Sequence, residues 1–552
     1  MTVPSNIKEE NIKALWAKFK EGYTSAQYQE IKKKLEELLS DWQKYKKEIN
    51  SNSFSLDNYT NRLGNKTAIM PGGYLCNFLE RSTSELLGSS KPGTAKSFGV
   101  KLNSNDTYYL NQEDQKAPVE DALKKFEKDI KPLIKKVTAG LGIKEKIDVV
   151  ERSDYSAKQI LRKLAVLDHL GDFVFMYSDE MIDSLHDTFV EEPNPENKSS
   201  NLDKNYAIRD CVNQLLDIKK EDNTESILLS YFLWKYANTQ SIVDLDTPNA
   251  ILYGPPGTGK TYAIKNSLDF ICQGDRSRYE FVQFHPSFTY EDFIEGIKPK
   301  GVSKDGNIKF ELVNGIFKEF CIKAKNNPKK DYYFVVDEIN RANLSSVFGE
   351  ALLCLEKDYR HDPDNNNSTL VKTQYSTLIA EIIKEDPGKE SLAYMLQEDG
   401  EVYFGIPKNL FFIGMMNDVD KSIDAFDLAL RRRFKWIRKD CDYDVIEENT
   451  KHRSGSQFNN IDDYITNCKN LNHYISDELG LGKSYEFGHS FFMKVSAITN
   501  RKEINSKNLE TLFNLHLRPT LKEYLRAIFS ESELDSKLNE ALDKFNPKIK
   551  AQ

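Results

Sequence analysis

Residues 254–261, which read GPPGTGKT, constrain this chain more than any other stretch. Their spacing matches the phosphate-loop pattern of Gly, four residues, Gly, Lys and Ser or Thr. Residues 249–253 before the loop are typical of a short apolar strand. Residues 262–268 after it are typical of a helix whose positive dipole end faces the loop. Because strand, loop and helix follow in this order, the stretch predicts a phosphate cradle rather than a chance glycine-rich turn.

Each residue type in this loop has a chemical reason. Gly257 and Gly259 leave room for backbone N–H groups to turn toward phosphate oxygens, and Lys260 can reach the terminal phosphates. The Thr261 hydroxyl is a suitable ligand for Mg²⁺. The predicted nucleotide-binding residues are Gly254, Pro255, Pro256, Gly257, Thr258, Gly259, Lys260, Thr261 and Tyr262.

Two further strand ends carry candidate catalytic residues. Residues 332–336 form an apolar run that ends in Asp337 and Glu338. Downstream of a phosphate loop, this pattern predicts that Asp337 holds magnesium and that Glu338 orients or deprotonates the attacking water. Asn417 ends the run 410–416, where it can position the same water, although an Asn at a strand end can also simply satisfy a turn.

Arg431, Arg432 and Arg433 are consecutive and form a candidate cationic group. Charge that develops on a transferred phosphoryl group is stabilised by arginine, which a neighbouring subunit can supply. The alternative is a helix end that forms ion pairs with nearby carboxylates. The sequence does not identify which of the three arginines acts in trans.

Composition limits the classes of protein that this chain can be. With 552 residues the chain is too long for one core and should hold two to four domains. Its net charge of -8 argues against a wholly basic nucleic-acid coat. Its 7 cysteines include no CxxC pair, which favours reduced thiols in a cytoplasmic protein. The polar N-terminus indicates no signal peptide, and we expect no association with a membrane.

The order of predicted elements indicates three domains. Apolar strands at 249–253, 281–284, 332–336 and 410–416 alternate with helical connections, which predicts an α/β core with a parallel sheet covered on both faces. We place this core at 205–440, with an insertion at 360–400. Residues 1–200 are expected to be an α+β domain, helical with a short β part, and residues 441–552 a helical lid. The Pro-rich polar segment 191–200 is the predicted boundary.

Several long sequence segments between these motifs are similar to segments of one protein family. They are residues 284–299 (FHPSFTYEDFIEGIKP), 337–350 (DEINRANLSSVFGE), 416–423 (MNDVDKSI), 430–434 (LRRRF) and 488–493 (GHSFFM). Together with the phosphate loop they resemble the McrB family of AAA+ proteins over residues 245–495. These proteins are the nucleotide-hydrolysing subunits of McrBC-type modification-dependent restriction systems.

The resemblance implies more than the motifs do alone. It implies GTP hydrolysis with Mg²⁺, a hexameric ring, and a separate McrC-like nuclease subunit as partner. It also implies that the N-terminal region recognises DNA, with a modified base taken out of the stack. Asp420 would join Asn417 in positioning the catalytic water.

The resemblance also leaves alternatives open. The family's signature motif reads Met-Asn-Thr-Ala-Asp-Arg, and this chain departs from it at Asp418, Val419 and Lys421. Because these departures leave the GTP preference open, GTP and ATP are both candidate substrates. The alternative function is that of a MoxR-like AAA+ protein-remodelling ATPase, which predicts turnover stimulated by a protein client and indifferent to DNA.

Overall fold

The computed structural model describes residues 9–60, 74–88, 99–102, 108–110, 115–154, 158–191, 199–240, 248–363, 368–419, 428–526 and 528–547. The chain divides into two compact units, Met1–Thr239 and Gln240–Gln552. Among these residues, no helix combines the length and apolar character needed to cross a bilayer. The seven cysteines, all within the described residues, form no disulfide with one another.

The N-terminal unit is mainly helical, with one small antiparallel sheet of β1 (Val100–Leu102), β2 (Tyr108–Leu110) and β3 (Gln115–Ala117). The long helix Ser25–Ile49 begins at a capping box of Thr24 and Gln27 and buries one apolar face in the core. The helices span Glu9–Glu21, Ser25–Ile49, Leu56–Tyr59, Leu75–Asn77, Ser84–Leu87, Val119–Lys125, Lys131–Thr138, Ile143–Glu151, Lys158–Asp168, Asp179–Phe189, Asn201–Leu216 and Asn223–Gln240, with π-helical turns at Phe78–Ser82 and Phe126–Ile130.

This first unit extends past the predicted boundary at 191–200. The helix Asn201–Leu216 belongs to it because Leu202 is buried in its apolar core. Two buried polar side chains of the same helix also form hydrogen bonds there. Asn205 Nδ2 donates to the carbonyl of Val174 at 3.0 Å, and Arg209 Nε donates to the carbonyl of Gly171 at 3.0 Å. A polar linker therefore need not end a compact unit when the next helix returns to the same core.

The second unit is built on a five-stranded parallel sheet, which confirms the predicted α/β core. Its strands are β4 (Asn249–Gly254), β5 (Tyr279–Gln283), β8 (Tyr332–Asp337), β11 (Leu410–Asn417) and β12 (Lys435–Arg438). Across the sheet they lie in the order β12-β4-β11-β8-β5, and every pairing is parallel. Alternate side chains of β8 enter different clusters: Phe334 and Val336 join one, and Tyr333 and Val335 the other. The sheet is therefore covered on both faces, which explains its apolar runs.

The connections contain elements that the sequence analysis did not predict. Strands β6 (Glu295–Val302) and β7 (Ile308–Asn314) form an antiparallel hairpin, and β9 (Met395–Leu396), in the predicted insertion, pairs with β10 (Val402–Tyr403) just after it. The helices of this part span Lys260–Ile271, Tyr290–Phe293, Ile316–Lys325, Leu344–Phe348, Ser376–Glu385 and Leu428–Arg431, with 3-10 turns at Arg276–Arg278, Ile339–Arg341, Gly349–Cys354, Lys357–Tyr359 and Pro387–Leu392.

After Lys439 the described chain is helical, as predicted. These helices enclose their own apolar cluster, in which Leu471, Phe492 and Phe513 are buried. They span Tyr443–Asn449, Ile461–His473, His489–Phe492, Val495–Ile498, Ser506–Leu512, Arg518–Arg526 and Glu531–Phe545, with π-helical turns at Tyr474–Glu478 and Phe513–Leu517 and a 3-10 turn at Lys483–Tyr485.

Candidate nucleotide-binding site

The loop 254–261 connects β4 to the helix Lys260–Ile271 at the carboxyl edge of the sheet. Gly257 and Gly259 have φ angles of 79° and 69°. These angles lie in the left-handed region, which glycine adopts without steric cost. The backbone thus takes the turning conformation that the motif predicted, with the positive end of a helix following it.

The Lys260 side chain folds back over the start of its own loop. Its Nζ donates to the carbonyls of Gly254 at 3.0 Å and Pro255 at 2.9 Å, and the side chain is buried. The Thr258 hydroxyl donates to the same Pro255 carbonyl at 3.0 Å. To bind phosphate, the ammonium would have to exchange these carbonyls for phosphate oxygens. By contrast, Thr261 and Tyr262 are exposed on the first turn of the helix.

The predicted strand-end residues lie on the strands next to the loop. In the register of β11 and β4, Asn417 is opposite Gly254, the first loop residue. Asp337 is the last residue of β8 and Glu338 follows it, and β8 pairs with the other side of β11. Since parallel strands end at the same edge, the structure brings Lys260, Asp337, Glu338 and Asn417 to one edge of the sheet.

Glu338 has a backbone conformation that the sequence did not predict. Its φ of 51° is in the left-handed region, which is uncommon for a residue other than glycine. Its N–H donates to Asp337 Oδ1 at 3.0 Å, and its Oε2 accepts from Arg341 Nε at 3.1 Å. Such backbone strain is concentrated at functional sites, so it marks Glu338 independently of the motif.

The three arginines have different surroundings. Arg433 is largely buried, and its Nε lies 3.0 Å from Glu356 Oε1. Arg431 is exposed with its guanidinium 5.1 Å from the centre of the Trp436 ring. Arg432 leaves 69% of its side chain exposed, with Nη2 3.7 Å from Glu356 Oε1. The ion-pair alternative therefore describes Arg433 best, whereas Arg431 and Arg432 are both exposed to solvent. Asp420 lies outside the described residues.

The lid contacts the phosphate loop through its backbone, which sequence reasoning did not find. The Gly488 N–H donates to the Pro256 carbonyl at 3.1 Å, and the Ser490 N–H donates to the Gly257 carbonyl at 3.0 Å. A Cβ on Gly488 would lie 2.1 Å from the carbonyl carbon of Gly257, so only glycine allows this approach. The two segments are more than 200 residues apart, and no local signal predicts their contact.

His489, in the same lid segment, lies against the loop. Its Nδ1 accepts from the Asp442 N–H at 3.4 Å, which places the ring proton on Nε2. Nε2 lies 3.0 Å from the position that a Cβ on Gly259 would take. Burial lowers the pKa of the imidazole, so the neutral form is favoured.

The donor set is compatible with magnesium. Among the described residues, no cluster of three or more His, Cys, Asp or Glu could hold a metal ion by itself. The Thr261 hydroxyl and the Asp337 carboxylate are hard oxygen ligands, and Mg²⁺ in such sites takes one or two protein oxygens together with phosphate and water. These two residues therefore fit the ion that the motif implies.

Comparison with known proteins agrees with this geometry. An AAA domain model of the dynein-related subfamily matches residues 249–434, and a model of the alpha-helical lid domain of McrB matches residues 463–527. The EcoKMcrB subunit of a type IV methyl-directed restriction enzyme from Escherichia coli K12 is 33% identical over 325 residues, which cover 58% of this chain.

The chain contains an AAA domain followed by a McrB-type lid domain. The match spans 60% of the length of the Escherichia coli subunit. The YdiS component of the type II restriction enzyme BsuMI from Bacillus subtilis 168 is 25% identical over 316 residues, which cover 51% of this chain and 84% of that protein. Among solved structures, Cdc6p from Pyrobaculum aerophilum aligns with 56% of this chain and 79% of its own length. The sequence identity is 11% and the TM-score is 0.26, so the two structures are only distantly similar. The two matched regions thus contain the phosphate loop, four of the five strands of the sheet and the lid segment described above.

Proposed function

We propose that this chain is the motor subunit of a modification-dependent restriction system, acting in the cytoplasm against foreign DNA. It hydrolyses GTP or ATP to translocate or remodel DNA, while a separate McrC-like nuclease cuts it. The observation that carries the proposal is the convergence of Lys260, Asp337, Glu338 and Asn417 on a phosphate loop that a McrB-type lid contacts directly.

The proposed mechanism assigns one task to each group. Backbone N–H groups of the loop and Lys260 bind the phosphates, with Tyr262 and the preceding loop residues around them. Thr261 and Asp337 would hold Mg²⁺, which would supply positive charge to neutralise the phosphate oxygens. Glu338 takes the proton of the attacking water, and Asn417 and Asp420 orient that water. For Glu338 to act, its carboxylate must leave Arg341, which now donates to it at 3.1 Å.

The proposal further includes a hexameric ring in which an arginine from one copy completes the site of the next. The exposed side chain of Arg432 supports this role better than the Glu356-paired Arg433. We also propose that a domain at about 1–200 recognises DNA, through a modified base where one is present. Within the proposed 205–440 region, whose first helices pack in the N-terminal core, the sheet and phosphate loop then bind nucleotide, and 441–552 forms the lid.

Turnover of GTP and ATP with Mg²⁺ tests the proposal. Lys260→Ala should abolish nucleotide binding, because it removes the cation that contacts the terminal phosphates. Glu338→Gln should retain binding and stop hydrolysis, because an amide cannot accept the proton. Wild-type turnover by Glu338→Gln would overturn the assigned role of Glu338.

The DNA role needs a separate arm of the same assay. Turnover should rise on adding methylated duplexes to the full chain together with a McrC-like nuclease, relative to unmethylated duplexes of the same sequence. Because phosphate contacts are salt-dependent, both duplexes must be compared at one salt concentration. Stimulation by a protein client with no response to any DNA would reject the restriction role in favour of protein remodelling.

A further inference from the structure

Asp418, the residue after β11, carries three contacts around the phosphate loop. Its N–H donates to the Gly254 carbonyl at 3.4 Å. Its Oδ2 accepts from Arg438 Nη1 at 3.0 Å and from the Ser484 hydroxyl at 2.9 Å. The carboxylate is only 12% exposed, so these contacts are poorly screened by solvent. The backbone and side chain of this one residue therefore join the ends of β4, β11 and β12 to the lid.

Arg438 also contacts two groups other than Asp418. It is the last residue of β12, and its guanidinium lies 5.6 Å from the centre of the Tyr253 ring, on the strand that leads into the loop. Its Nε donates to Asp440 Oδ1 at 2.7 Å. The arginine is thereby fixed on the sheet, so Asp418 has a rigid partner there.

Ser484 is the lid end of this cluster. It lies in the turn Lys483–Tyr485, shortly before Gly488 and Ser490, whose N–H groups donate to the loop carbonyls of Pro256 and Gly257. An anchor at Ser484 restricts how far these two amides can move from the loop. The hydroxyl thus acts at the base of the segment that touches the candidate site.

The cluster also has the capacity for a second arrangement. Asp418 Oδ1 and Arg438 Nη2 are both buried without a hydrogen-bond partner in the described part of the chain. Leaving such atoms unpaired is unfavourable, and a bidentate pairing of the same two groups would satisfy both. A small rotation of Asp418 could therefore strengthen its hold on Arg438 while weakening its hold on Ser484.

We propose that Asp418 is a positioning residue that couples the lid segment 483–490 to the strand end bearing Asn417. A shift of Asn417 moves the carboxylate of the neighbouring Asp418. That carboxylate then keeps or loses its hydrogen bond from Ser484, which holds the lid segment on the loop. This coupling rests on the proposed nucleotide hydrolysis. It assigns Asp418 no contact with the substrate.

Hydrogen exchange and turnover of the full chain test this coupling. Asp418→Asn removes the charge that holds Arg438, and Ser484→Ala removes the lid hydroxyl. Either change should raise amide exchange in residues 483–493 and lower kcat by about tenfold, the effect expected for one hydrogen bond to a charged group, with nucleotide Kd changed less than about threefold. Ser484→Thr should restore both values because it keeps the hydroxyl.

Ser454→Ala is the matched control, since within the described ranges this lid hydroxyl hydrogen-bonds its local neighbours His452 and Ser456. It should alter neither exchange at 483–493 nor kcat. The double variant Asp418→Asn with Ser484→Ala should be no slower than the slower single variant, because both break the same link. Unchanged exchange in both single variants, or additive losses in kcat, would overturn the proposal. Since exchange is measured without turnover, an inactive wild type would reject the proposed function and leave this test standing.

Discussion

At the residue scale, the three consecutive arginines are predicted to behave differently. Arg432→Ala should lower turnover by roughly 10³-fold, the order reported for loss of an arginine that stabilises the transferred phosphoryl group, with little change in melting temperature. Its side chain is 69% exposed, so its removal disturbs no core. Nucleotide turnover and thermal melting of the same preparation check this prediction.

Arg433→Ala is the companion variant. It removes the largely buried partner of the partly exposed Glu356, so it should lower the melting temperature more than Arg432→Ala does, because packing and an ion pair are lost together. If Arg432→Ala kept wild-type turnover while Arg433→Ala lost it without a change in melting, the assignment of the two side chains would be reversed.

Motif chemistry predicted the placement of single residues where one residue type alone can do the task. Gly257 and Gly259 have the positive φ angles that the loop pattern requires. The pairing of Asp418 with Ser484 could not be predicted, because the two are 66 residues apart and each belongs to an otherwise ordinary polar segment. The same holds for the left-handed backbone of Glu338, since a strand-end carboxylate does not reveal its φ angle.

At the element scale, the contact between the lid segment and the phosphate loop is predicted to depend on one glycine. Gly488 has a φ of -72°, which alanine also adopts, so Gly488→Ala adds no backbone strain. The new methyl group would lie 2.1 Å from the Gly257 carbonyl carbon and must displace the lid segment. We expect weaker nucleotide binding by about tenfold, of the order of a lost contact between packed backbones, measured with a fluorescent GTP or ATP analogue.

Gly142→Ala is the control for this substitution. Gly142 has a φ of -65°, and no atom lies within 4 Å of a Cβ built on it. It should leave binding unchanged. Equal nucleotide affinities of Gly488→Ala and the wild type would show that the lid contact does not influence nucleotide binding by the loop.

Strands of the sheet interior were predictable because burial on both faces makes each a continuous apolar run. The edge strand β12 was not, since Lys435–Arg438 is short and has a charged residue at each end. The hairpin of β6 and β7 was also missed. Gly296, Pro299 and Gly301 interrupt its first strand and resemble breakers, yet the ladder continues around a bulge between Pro299 and Val302.

At the scale of the whole molecule, the sequence predicted the class of each part better than the limits of the parts. The alternation of strands and helices fixes a parallel sheet, and the apolar periodicity after Lys439 fixes a helical lid. The end of the first compact unit depends on where the helices Asn201–Leu216 and Asn223–Gln240 pack. That packing is decided by Leu202 and Ile227 in the N-terminal core rather than by the composition of the linker.

The proposed ring makes a prediction that no single copy can satisfy. If each site takes Lys260 and Glu338 from one copy and Arg432 from the next, then Glu338→Gln and Arg432→Ala are each inactive alone. Mixed in equal amounts, they should form active junctions wherever an Arg432→Ala copy receives the intact arginine of a Glu338→Gln copy. Random assembly produces this order at about one quarter of the junctions. Turnover should therefore recover toward about one quarter of the wild-type rate.

The mixture of Lys260→Ala with Glu338→Gln provides the decisive contrast. Both changes lie in the part of the site that one copy supplies, so every junction carries a defect and no mixing ratio should restore turnover. Both mixtures need the same total concentration, because association depends on it. Recovery in the first mixture and none in the second would place Arg432 in the neighbouring copy's site. No recovery in either, in preparations whose assembly by light scattering matches the wild type, would mean that each copy completes its own site.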